Sequence, residues 1–198
     1  MEIHNFPQYS PEWWSTRAKR MTGSHAQAIG SNGKGLNTYI VKIMSEFYSK
    51  AEKKGYSNKS MERGLELEDS AGMVYSFETG LKVEKVGFVT VGEYTGVSPD
   101  LFVEGNGLAE IKCPEDETYL RYLYDRKIDT KYMWQMQMQM QKCEKDWCDY
   151  VVYNPNFEQD HVITRVLPDP EKYEKLNKGY ETGIKLIKEI ESIMEGNK

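Results

Sequence analysis

Apolar positions change their spacing several times along the chain, and those changes divide it into elements. Ser10-Pro11 places a capping hydroxyl and a first-turn proline ahead of a helix reaching about Arg20. Thr22-Gly23-Ser24 interrupts it, Ser24 suits the cap of a short second helix ending at Gly30, and 31–35 reads as a loop. Over 36–48, Tyr39, Ile40, Ile43, Met44 and Phe47 share one helical face. A polar loop at 50–59 precedes a long helix at 61–79, closed by Gly80.

The period then shortens to that of strands. Val83, Val86, Phe88, Val89 and Val91 mark one strand, and 97–103 and 108–113 mark two more. Gly105-Asn106-Gly107 between the latter two is a hairpin signal. Helices at 116–126 and 129–141, strands at 147–153 and 159–167, and a C-terminal helix at 169–194 complete the order. In 135–141, Gln and Met alternate with the period of a strand; both are unbranched helix formers, so the segment is assigned to a helix with its methionines in the core. The order predicts an α/β (α+β) fold with a mixed central sheet flanked by helices. One domain over 1–198 is expected, with a helical part at about 10–80, the sheet at about 83–167 and the final helix at about 169–194.

Composition narrows the classes. Aromatics at 12% with 14 Tyr and 4 Trp exclude a disordered chain. No apolar run is long enough to span a membrane. The first residues lack the basic-then-apolar pattern of a signal peptide, so a cytoplasmic setting is expected. Cys113, Cys143 and Cys148 are odd in number and form no C-x-x-C, which suits reduced thiols. His4, His25 and His161 are scattered, so any metal is held by carboxylates, favouring Mg²⁺ or Mn²⁺ over zinc.

The net charge of −5 taken alone speaks against nucleic acid, but it is an average. Residues 1–60 carry +5, residues 61–125 carry −9 and residues 126–198 carry −1. The acidic middle holds the informative chemistry: Ser98-Pro99-Asp100, nine residues, then Glu110-Ile111-Lys112. Glu110 and Lys112 are two apart on one strand and share a face. Asp100 starts the other arm of the hairpin, in a register that the glycine-rich turn leaves open. Two carboxylates hold a hard cation, Ile111 could add its carbonyl, and a lysine can orient or deprotonate a water or stabilise charge on a phosphate. By spacing alone, a solvated hairpin with an incidental D…E-x-K fits equally well.

Pro99-Asp100…Glu110-Ile111-Lys112 resembles the PD-(D/E)xK nuclease motif, and its surroundings are similar to those of lambda-exonuclease or YqaJ-type viral recombinases. The similarity covers Glu12-Trp13-Trp14-x-x-Arg17…Met21-Thr22-Gly23-Ser24, Gly64-x-x-x-Glu68-x-x-Ala71-x-x-x-Tyr75, Gly96 to Asp100, Ala109 to Pro114, Tyr132-x-x-Gln135-x-Gln137, Trp147-x-Asp149 and Tyr153-Asn154-Pro155. It runs from about residue 8 to about 167.

The resemblance implies a restriction-endonuclease-like core and a Mg²⁺-dependent 5′-to-3′ exonuclease on double-stranded DNA ends, leaving 3′ overhangs for recombination by strand annealing. Two Mg²⁺ ions, or Mn²⁺ in their place, would be held by Glu68, Asp100, Glu110 and the Ile111 carbonyl. Lys112 would position or activate the attacking water, buttressed by Tyr132 and Gln135. Arg17, Ser24 and Ser98 would bind the 5′-terminal phosphate. A toroidal homotrimer, a phage single-strand annealing protein as partner and a phage or prophage origin in a bacterial host are implied as well. Taken singly, Glu68 also fits a solvated helix face, Arg17 a surface arginine and Ser24 a plain cap. Another PD-(D/E)xK enzyme, such as a structure-specific endonuclease, and a non-catalytic DNA-end-binding subunit are the alternatives.

Overall fold

The computed structural model describes residues 1–50 and 59–196. β1 (Glu2–His4) is followed by α1 (Pro11–Arg17), β2 (Met21–Thr22), a single 3-10 turn (Gly23–His25), α2 (Ala26–Ser31), α3 (Lys34–Tyr48) and α4 (Lys59–Thr79). Next come β3 (Val83–Lys85), β4 (Phe88–Val91), β5 (Thr95–Val97), β6 (Leu101–Val103) and β7 (Gly107–Lys112). α5 (Asp116–Asp125), α6 (Thr130–Cys143), β8 (Trp147–Tyr153), β9 (His161–Val166) and α7 (Pro170–Gly196) complete the described chain.

Two mixed sheets replace the expected single one. One has the order β1-β4-β5-β2 and the other β3-β6-β7-β8-β9. The strand expected across Val83–Val91 is therefore two strands in different sheets. Gly87 sits at the break: a Cβ there would lie 2.1 Å from the Phe6 carbonyl oxygen, so only glycine permits this approach. The strand expected at 97–103 is likewise split, and Ser98-Pro99-Asp100 is the crossing between the sheets. The candidate chemistry thus lies on a seam.

Several helix ends also shift. α1 stops at Arg17, because Ala18 leaves the helical region and Lys19 has φ +53°. Ser24 lies inside the 3-10 turn rather than capping α2, whose preceding residue, His25, makes no side-chain cap. Lys34 and Gly35, expected in a loop, open α3. The expected 50–59 loop falls largely on 51–58, outside the described residues.

α6 explains its own odd pattern. Met136 and Met140 pack into one apolar cluster and Met138 into another, all at 0% exposure. Gln137 donates to the Leu167 carbonyl at 2.8 Å and accepts from Asp169 N–H at 2.8 Å. The stretch 136–140 is buried at every position and so shows no amphipathic stripe; its polar residues mark specific tethers instead.

Candidate active site

The β6–β7 hairpin pairs Leu101 with Ala109, so Asp100, one residue further out, falls at the level of Glu110. Val103 faces Gly107, and φ is +81° at Gly105 and +63° at Asn106, so a three-residue turn fixes the register. Asp100 is tied across the hairpin by the Ile111 N–H, which donates to its Oδ2 at 2.6 Å. On β7, Lys112 Nζ donates to Glu110 Oε1 at 2.5 Å. The Ile111 side chain turns the other way, into the cluster that holds Ala71 and Tyr75 of α4. That packing brings α4 against β7 and sets Glu68 on the same cleft.

The cleft has a volume of about 590 Å³ and is lined by Glu68, Asp100, Ile111, Lys112 and Tyr132, with Ser24 and Tyr9 on its wall. Glu110 is 1% exposed and lies behind the lining, joined to the cleft through Lys112. Three donors hold that carboxylate: Lys112, Gln135 Nε2 to Oε1 at 2.6 Å, and Gln139 Nε2 to Oε2 at 2.6 Å. The Tyr132 ring lies 5.1 Å from Lys112 Nζ, so Tyr132 and Gln135 both address the pair from one face of α6.

Charge is concentrated here. Burial, and then repulsion from Glu110 and Glu68, pushes the Asp100 carboxyl well above the usual range. Burial also raises Glu68, against the opposing pull of Lys85 and Lys112. For Lys112, burial alone would favour the neutral amine, but Glu110 and Asp100 outweigh it and push its pKa up. Lys112 is therefore an ammonium in this arrangement, suited to donate to a water or a phosphate oxygen. Among the described residues, no group of three or more His, Cys, Asp or Glu side chains is placed to hold a metal ion. The donor chemistry nevertheless fits a hard divalent cation: all-oxygen ligands, an excess of buried negative charge, and a cleft with room for water.

Arg17 and Ser24 meet, Arg17 Nη2 donating to Ser24 Oγ at 2.8 Å. The Arg17 guanidinium also lies 4.7 Å over the Trp13 ring. Trp13 is buried, and its Nε1 reaches the Gly87 carbonyl at 3.1 Å and Ser98 Oγ at 3.2 Å. Ser98 donates its own proton to the Gly87 carbonyl at 2.5 Å, so it stands behind Trp13 and braces Arg17 indirectly. Trp14 is half exposed.

Three residues were not anticipated. Gln139 holds half of Glu110, and its signal was its place four residues after Gln135 on the same helical face. His25 stacks on Tyr39 at 4.0 Å with its Nδ1 3.2 Å from Ser24 Oγ; burial, Arg17 and Lys42 lower its pKa to about 4. Tyr9 lines the cleft at φ +66° and packs on Trp13 at 5.1 Å. Nothing in the local periodicity marks it.

A model of the YqaJ-like viral recombinase domain matches residues 12–146. The chain belongs to this family. Its fold is similar to that of the alkaline exonuclease LHK-Exo from Laribacter hongkongensis: 28% identity, TM-score 0.83, with 95% of this chain and 98% of that one covered. A second structure of LHK-Exo, in complex with dAMP, aligns over the same shares at 29% identity and TM-score 0.83. A phage-related exonuclease from Haemophilus somnus 129PT, at 17% identity and TM-score 0.65 over 88% of this chain and 96% of that one, shares the fold. Among curated proteins, none matches. The architecture is thus the PD-(D/E)xK exonuclease type, as the motif resemblance implied. No helix among the described residues is long and apolar enough to cross a membrane.

Proposed function

We propose that this chain is a single-domain, Mg²⁺-dependent deoxyribonuclease that degrades double-stranded DNA from its ends in the 5′-to-3′ direction. The observation that carries this reading is the convergence of Asp100, Glu110, Lys112 and Glu68 on one cleft, with Arg17 and Ser24 paired beside it. Membership of a viral recombinase family and likeness to an alkaline exonuclease support it. The dAMP complex of that relative suits a site that takes a terminal nucleotide.

Glu68, Asp100, Glu110 and the Ile111 carbonyl would hold two Mg²⁺ ions, or Mn²⁺. When bound, such ions polarise the phosphodiester and lower the pKa of an attacking water. Lys112 holds that water or the phosphoryl oxygen by its ammonium, and Tyr132 and Gln135 keep Lys112 and Glu110 in place. Arg17 binds the 5′-terminal phosphate as a fork, with the Ser24 hydroxyl as a second donor and Ser98 bracing them through Trp13. In-line attack and departure of the 3′-oxygen then release one 5′-mononucleotide. The 3′ overhang left behind would pass to a phage single-strand annealing protein. A homotrimeric ring and action in the cytoplasm of a bacterial host, encoded by a phage or prophage, belong to the same reading on family likeness alone.

Incubation of linear and covalently closed circular duplex with Mg²⁺ tests it. Linear DNA should be degraded and circular DNA spared. Equal digestion of both would point to a PD-(D/E)xK endonuclease, and digestion of neither, with retained end binding, to a non-catalytic subunit.

A further inference from the structure

On α6, Gln139 holds Glu110 as closely as Gln135 does. Gln139 is 1% exposed, donates Nε2 to Glu110 Oε2 at 2.6 Å and reaches the Ser98 carbonyl at 3.5 Å. Its own Oε1 is buried with no hydrogen-bond partner among the described residues. Turning the amide over would set its oxygen against the carboxylate, so the amide keeps this orientation and leaves an acceptor unpaired. An apolar side chain beside Met136, Met138 and Met140 would carry no such penalty. The amide is therefore kept at a cost to stability, and what it supplies is an N–H on Glu110.

That N–H decides where Glu110 can bind anything else. A carboxylate has about four acceptor positions. Oε1 receives Gln135 and Lys112, whereas Oε2 receives Gln139 alone. Held at both oxygens from one face of α6, the carboxylate plane is fixed and its vacant acceptor position lies on Oε2. We propose that Gln139 is a positioning residue that locks Glu110 with this position of Oε2 open to a divalent cation. The inference rests on the nuclease reading above and adds to it a residue that touches neither DNA nor the reacting atoms.

The test uses the full chain: calorimetric Mn²⁺ binding, thermal melting, and steady-state digestion of linear duplex with Mg²⁺. Wild type is compared with Gln139→Met, which removes the donor at nearly constant volume, and with Gln139→Asn, which withdraws the amide by one methylene. Either variant, if folded, should bind Mn²⁺ about tenfold more weakly and lose about tenfold in kcat, within the range for outer-shell partners of metal ligands. KM for DNA should stay within about twofold, and the losses in Mn²⁺ affinity and kcat should be alike in the two variants whatever their difference in Tm. Folded variants that match wild type in Mn²⁺ affinity and kcat would overturn the role of Gln139 alone. So would losses that merely track a fall in Tm in both variants. A wild-type chain that binds no Mn²⁺ and digests no DNA would overturn the nuclease reading together with it.

Discussion

The side chains around the cleft make separable predictions. Arg17 is joined to Ser24 and braced by Trp13, and in the proposed function it acts at the DNA end. Arg17→Ala should raise KM for 5′-phosphorylated ends about tenfold or more, with little change on 5′-hydroxyl ends, because only the former lose a charge-assisted contact of about 1.5–3 kcal/mol. His25 is held neutral in the folded chain, its pKa lowered to about 4 from 6.5. The unfolded chain therefore takes up a proton first as pH falls. The contribution of His25 is complete above about pH 6.5 and is lost progressively toward pH 4. Melting at pH 7.5 and pH 5 should show a larger drop for wild type than for His25→Gln, by about 2–4 °C for each kcal/mol of difference. At this scale the motif residues Asp100, Glu110 and Lys112 were legible, because their spacing alone places them on one hairpin. Gln139 carried only the signal of its spacing from Gln135, and His25 carried none, because the Tyr39 ring on which it stacks lies on another helix.

Among elements, the contacts that hold α4 and α7 matter most. Tyr75 on α4 donates to Asp149 Oδ2 at 2.8 Å, and Arg165 grips the same carboxylate through Nε and Nη2, both at 2.9 Å. Asp149 is 2% exposed, so Asp149→Ala strands the buried Tyr75 hydroxyl and should cost about 3 kcal/mol, whereas Tyr75→Phe should cost about 1 kcal/mol. Chemical denaturation of the two variants checks the order. α7 crosses α2 so closely that a Cβ at Gly179 would lie 2.0 Å from the Ile29 carbonyl oxygen. Gly179→Ala should therefore lower Tm, by about 6–12 °C for a cost of about 3 kcal/mol. Helices and long strands were legible from periodicity, and α6 was assigned correctly from propensity against its period-two pattern. What escaped was the splitting of 83–91 and 97–103 between sheets. The cause at Gly87 is a close backbone approach by β1, a strand of three residues whose own pattern is too short to announce it.

For the molecule as a whole, the net charge of −5 obscures the arrangement that matters. Of the acids in the −9 middle segment, Glu68 and Asp100 line a single cleft and Glu110 lies behind it on Lys112, and the +5 N-terminal third contributes Arg17 beside it. Acid at the proposed metal site and base at the proposed DNA end are what a phosphodiester-cleaving surface needs, and an average over the chain cancels them. The proposed function requires Lys112 and its two carboxylates to act on the substrate rather than only to hold the hairpin. The most direct measurement is release of acid-soluble nucleotide from linear, 5′-phosphorylated duplex in Mg²⁺ by wild type and by Lys112→Ala at equal concentration. Lys112→Ala should lose at least about a hundredfold, the scale of removing one donor from a developing charge, while still folding. A folded Lys112→Ala that digests DNA at the wild-type rate would contradict the proposed function.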